Sequence, residues 1–130
     1  MKVDFSLREL EVLSQAIMRL RFEDAVSGMF LGSSYLAASH ERIVDSIIAE
    51  CEKGGDVGRA ARWVEWREWR GRSYERDVIR NYVTTLDAWS IWSYEQKIDF
   101  LRISCSPFSP SDSELGELCR EIDANSHEVD

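Results

Sequence analysis

The sequence predicts an all-α fold, a single-domain bundle of five or six helices, on three observations. Three Ser-x-x-Glu/Gln capping boxes punctuate the chain, and apolar residues recur between them at spacings of three and four. Few stretches show the period-two alternation of a half-buried strand. With 44% hydrophobic and 31% charged residues over 130 positions, the chain has material for one core and lies outside the composition of disordered chains.

The first box is Ser6-Leu7-Arg8-Glu9, in which hydroxyl and carboxylate each satisfy an amide at the helix start, with Phe5 placed to staple onto Leu10. Leu10, Leu13, Ile17 and Leu20 continue that helix. Phe22, Val26, Met29 and Phe30 repeat the pattern after a small phase shift, so the helix is expected to reach as far as Leu31. A bend or break is expected between Glu23 and Gly28, because an interior glycine costs about 1 kcal/mol relative to alanine. Gly32-Ser33-Ser34 then interrupts the pattern. A second stripe of Leu36, Ile43, Val44, Ile47, Ile48 and Cys51 ends at Gly54-Gly55.

Asp56 is placed to cap a third helix, expected to extend to about Arg70, and Gly71-Arg72-Ser73 reads as a short turn. Ile79, Tyr82, Val83 and Leu86 give the fourth helix its inner face. After a kink at Trp89–Trp92, the second box, Ser93-Tyr94-Glu95-Gln96, starts a helix that carries Ile98 and Leu101 towards Ile103. Ser104–Pro110 holds both prolines and reads as a loop. The third box, Ser111-Asp112-Ser113-Glu114, opens a last helix with Leu115, Leu118, Cys119 and Ile122 inward. The helical domain is thus expected over 1–124, with a frayed polar tail over 125–130.

Sixteen basic against 24 acidic residues give a net charge of -8, which disfavours general affinity for nucleic acid and favours a basic partner. The absence of a signal-like apolar start and of any membrane-length apolar run predicts a cytoplasmic protein with no membrane segment. Cys51, Cys105 and Cys119 lack C-x-x-C spacing and read as free thiols. Cys51 and Cys119 fall on apolar faces, whereas Cys105 falls in the proline loop and is expected to be the reactive one.

His40 and His127 stand in no metal or triad motif, so neither metal nor cofactor is expected, and His40 reads as an exposed helical residue. Gly54-Gly55-Asp56-Val57-Gly58-Arg59 has the glycines of a phosphate loop. No strand precedes it, no Lys-Ser/Thr follows it, and Asp56 would repel the phosphate; it reads as a helix stop followed by an N-cap.

Two surfaces remain as binding candidates. Glu114, Glu117 and Glu121 share one face of the last helix, either as a solvated acidic face or as a contact surface. From Arg59 to Arg72, Trp63, Trp66 and Trp69 interleave with arginines. On a continued helix Val57, Ala60, Ala61 and Val64 form the apolar face, and Trp66 and Trp69 point away from it. These indoles are either core between two layers, with arginines snorkelling past them, or a binding face, since Trp and Arg dominate interface hot spots. Arg–Trp pairs four apart, such as Arg62–Trp66 and Trp66–Arg70, permit guanidinium-on-indole contacts.

The leading functional expectation is a non-enzymatic acidic protein that masks a basic protein partner, such as a bacterial nuclease toxin, through Glu114, Glu117, Glu121, Trp66 and Trp69. In size, acidity and inferred helicity the chain resembles nuclease immunity proteins, with which it shares no motif. The alternative is a helix-turn-helix-like nucleic-acid binder using segment 59–81, with Arg72, Arg76, Arg80 and Asn81 towards the duplex. Between Arg59 and Arg80 seven arginines face four carboxylates, a local excess of three positive charges. Self-association is compatible with either.

Overall fold

The computed structural model describes residues 2–23 and 28–128. Ser6 closes the first capping box on Glu9 and starts α1 (Leu7–Met18). Phe5 stays 46% exposed beside it. The phase shift that follows in the apolar pattern is taken up by a π turn over Arg19–Glu23, whose extra residue per turn rotates Arg21 and Phe22 into the interior. The expected break falls on 24–27, outside the described residues, and a single turn, α2 (Gly28–Leu31), resumes beyond it.

Ser33 caps α3 (Ser34–Lys53), which ends at Gly54. Gly55 turns the chain with φ +80°, a conformation that L side chains avoid. The Asp56 carboxylate accepts from the Arg59 amide and starts α4 (Val57–Trp66), so the glycine-rich stretch is indeed a stop followed by a cap. This helix ends at Trp66, not near Arg70: a run of turns follows, and Gly71 at φ +84° redirects the chain into α5 (Ser73–Val83). Trp89–Trp92 belongs to a short 3-10 segment over Asp87–Ile91 and its exit.

The second box, with Ser93 and Gln96 bonded reciprocally, opens α6 (Tyr94–Cys105), and the third, at Ser111 and Glu114, opens α7 (Asp112–Glu128). α7 therefore runs past Ala124, where the polar tail was expected to begin. The proline segment departs more from expectation, because Ser104–Phe108 is buried throughout and Cys105 still belongs to α6. Among the described residues there are six helices of ten residues or more and no strand. This is the all-α bundle.

The helices form two groups. α1 and α4 pack on α3 around Leu10, Ile47, Cys51 and Ala60. α5, α6 and α7 pack on one another around Ile79, Val83, Leu101, Leu115, Leu118 and Ile122. The groups meet where α3 touches α6. There the Ser106 hydroxyl donates to the Ala37 carbonyl, and the Ser109 amide donates to the Arg67 carbonyl at 2.8 Å.

Candidate functional site

The junction between the two groups is built from aromatic rings. Trp63 meets Trp66 edge-on with centroids 5.2 Å apart, Trp66 meets Phe108 at 4.9 Å, and Trp69 and Phe22 close on Phe108 from behind. The Arg72 guanidinium lies over both Phe108, 4.4 Å from its centroid, and Trp66, at 5.4 Å, and it also donates to the Trp66 carbonyl. This wall has a cavity on each side.

On one side a groove of about 480 Å³ runs between the end of α1 and the end of α4, lined by Ser14, Gln15, Met18, Arg19, Glu23, Trp63 and Trp66. On the other, a cleft of about 390 Å³ lies between the first half of α3 and the segment that joins α6 to α7. Ala37, Ala38, Ile103, Phe108 and Pro110 make its apolar walls, with Ser34, Glu41 and Ser109 among its polar groups.

Behind the groove, Ser14 Oγ and His40 Nε2 are hydrogen-bonded at 2.9 Å, and both side chains are closed to solvent. His40 is thus a core residue, not an exposed one. Burial, with Arg21 and Arg67 nearby, pushes its pKa down to about 4, so the ring is neutral at ordinary pH. His40 Nδ1 has no hydrogen-bond partner among the described residues, whereas a Ser–His nucleophile pair needs its base oriented by a third group. No group of three or more His, Cys, Asp or Glu among the described residues could hold a metal ion.

The most constrained charge is Arg21, 2% exposed at the centre of the π turn. Its guanidinium donates to the Ser106 carbonyl and to the carbonyls of Leu31, Ile103 and Ser104 at 2.9–3.2 Å. Ile103 and Ser104 lie in the last turn of α6, where carbonyls are short of helical partners, that of Ile103 accepting also from the Ser106 amide at 3.2 Å, and where the helix dipole favours a cation. Arg21 caps that helix from another element. Burial lowers its pKa to about 10, which leaves it charged at neutral pH.

The candidates singled out in the sequence are scattered. Trp66 sits half-buried in the wall. Trp69 is 2% exposed and cannot be a contact surface: α4 stops at Trp66, so the helical wheel that turned Trp69 outward does not apply there. In the last helix Glu114 is occupied by its capping box, Glu121 lies 3.9 Å from Arg76, and Glu117 is exposed.

The arginines of the alternative face are also engaged. Arg72 folds onto the aromatic wall, Arg76 faces Glu121, Arg80 pairs with Asp77 at 2.8 Å, and Asn81 is exposed. α4 packs on α3 while α5 packs on α6 and α7, so the helices flanking Gly71 have different partners. Sequence reasoning missed Ser14 and Arg21 and read His40 as exposed, although the spacings Leu10, Ser14, Ile17, Arg21 and Ala37, His40, Val44, Ile47 place all three on the inner stripes. Nor is any helix among the described residues long and apolar enough to cross a membrane. No protein-family model, curated protein sequence or solved structure matches this chain.

Proposed function

We propose that the protein is a non-enzymatic acidic binding protein that masks a basic partner protein, in the manner of an immunity protein set against a nuclease toxin. The observation that carries this reading is the fate of the arginine-rich segment. Its local excess of three positive charges meets three carboxylates from other parts of the chain: Arg59 pairs with Glu11, Arg67 with Asp45 and Arg76 with Glu121. These pairings offset part of the basic patch on which duplex binding would depend, and so favour the masking reading over the nucleic-acid one.

The surplus charge left outside is acidic. Glu41, Glu50, Glu65, Glu68, Glu95 and Glu117 are exposed, and their carboxylates make no ion pair or hydrogen bond among the described residues. Such a field speeds encounter with a cationic surface and discriminates against acidic bystanders, and rigid helices present the carboxylates at little ordering cost.

The test is co-expression and binding with the protein encoded by the adjacent gene. A toxin-like basic product that is neutralised, with association slowed steeply by salt, supports masking. A shift of duplex DNA at low salt, weakened by joint Arg72→Ala, Arg76→Ala and Arg80→Ala, would replace it with the nucleic-acid reading.

A further inference from the structure

α4 turns the apolar stripe of its sequence away from the core. Val57, Ala61 and Val64, at spacings of four and three, share one helical face, yet the helix packs on α3 through Ala60 and Trp63. Val57 is left 69% and Val64 54% exposed, with Ala61 exposed between them. Two charges flank the stripe, Arg62 and Glu65, both exposed and neither with an ion pair or hydrogen bond among the described residues. Arg62 folds back along the helix, with one guanidinium nitrogen 3.6 Å from where a Cβ on Gly58 would stand. The surroundings are close to neutral. Between Glu52 and Arg70, with Glu11 and Asp45 that pair into the segment, five cations meet six carboxylates, so this stretch holds one of the eight net negative charges of the chain.

We infer that this face docks a second copy of the chain, α4 against α4, antiparallel about a twofold axis. Such an axis sets the same patch against itself and like side against like side. On α4, Val57 and Val64 lie to one side of Ala61, and Gly58, Arg62 and Glu65 lie to the other. Centred between Ala61 and Arg62, the pair places Gly58 opposite the second copy's Glu65, which there meets the guanidinium that Arg62 draws back over Gly58. Val57 then falls about 3 Å along the axis from the second copy's Val64, and the two guanidiniums diverge to about 10 Å apart along it. Each copy supplies one cation and one carboxylate to two reciprocal ion pairs, and neither charge is taken from an ion pair within the fold. Charge also selects the occupant. Two chains of net charge -8 repel over most of their surface, whereas this stretch brings a balance of one negative charge from each, and a strongly basic partner gains little from a face so nearly neutral. With ten residues, about 15 Å of helix, the interface falls at the small end of the range and the dimer is weak. The inference does not rest on the masking reading.

Sedimentation velocity on the full chain, from about 20 μM to about 1 mM, brackets the weak association that so small an interface allows. The mean mass should climb from one chain towards two. Val64→Asp, at an exposed position, should leave the helical spectrum and melting temperature unchanged and weaken association about tenfold, since the twofold counts each substitution twice. Arg62→Glu or Glu65→Arg alone should weaken it about fivefold by setting like charges face to face. Mixing those two variants should restore the native strength, because both ion pairs then form across the mixed pair. A single-chain mass at every concentration, native association by Val64→Asp, or a mixture no stronger than its components would overturn the inference. A monomer in which Val64→Asp abolishes binding of a basic partner would overturn it too, and would assign the stripe to that partner.

Discussion

Ser14 Oγ and His40 Nε2 lie 2.9 Å apart, one on α1 and the other on α3, and the bond joins two helices at a point where neither side chain sees solvent. Because the His40 pKa falls to about 4 in the fold from an ordinary 6.5, the unfolded chain binds more protons than the folded one between those values. Stability from this group is complete above about pH 6.5 and is lost as pH falls towards 4, by roughly 3 kcal/mol in all. Urea midpoints at pH 7.5 and 4.5 should therefore diverge more in the native sequence than in His40→Gln, which has no ring to charge. Parallel pH dependence of the two would show that other groups dominate acid sensitivity.

Arg21 should be irreplaceable for a different reason. Substitution by methionine keeps the stem but strips a donor from four carbonyls, of which that of Ile103 keeps the Ser106 amide, and each buried acceptor left unpaired costs about 1–3 kcal/mol. A loss of at least 3 kcal/mol is expected after partial relaxation. Arg21→Lys should recover little, since an ammonium cannot span carbonyls from α2 and the end of α6 as a planar fork does. Recovery by lysine to within 1 kcal/mol, read by denaturant unfolding, would mean that only the charge at the α6 terminus matters.

The thiols test the correction made at the proline segment. Cys51, Cys105 and Cys119 are all buried, and burial raises the pKa of each, most strongly for Cys105. Native-state labelling by a thiol reagent should be slow at all three positions and no faster at Cys105 than at the others. Selective rapid modification of Cys105 would place the 104–108 segment at the surface after all.

Much of the fold was legible because its signals are local. Ser6, Ser93 and Ser111 with their partners three residues on, and Asp56 after two glycines, specify helix starts through hydrogen bonds within one turn. What failed depended on contacts distant in sequence. Prolines and serines predict a loop at Ser104–Pro110, but α6 continues through Cys105 and only the chain beyond it leaves the helix, and Arg21, from 85 residues upstream of Ser106, draws that segment into the core. Trp69 was misplaced because the end of α4 has no proline or glycine to mark it before Gly71. The cleft at Glu41 had no sequence signal, since its lining comes from two helices and a connection that only tertiary packing brings together.

The three acidic residues of α7 should not behave as a set, although their spacing puts them on one face. Glu114 accepts from the Ser111 amide while its own amide donates to the Ser111 hydroxyl, so Glu114→Ala should lower stability by about 0.5–1 kcal/mol through the cap. Glu121 sits 3.9 Å from Arg76, with one oxygen buried and without a hydrogen-bond partner among the described residues, and its replacement by glutamine exchanges a partly screened ion pair for a weaker contact. A change below about 1 kcal/mol is expected there. Glu117 is exposed and its carboxylate makes no ion pair or hydrogen bond among the described residues, so Glu117→Gln should leave the melting temperature unchanged. If the acidic surface steers a basic partner, that same substitution should slow association at low salt and have little effect once salt screens the pair. Association by Glu117→Gln at the native rate and with the native salt dependence would remove this face of α7 from the encounter and leave the steering to Glu41, Glu50, Glu65, Glu68 and Glu95.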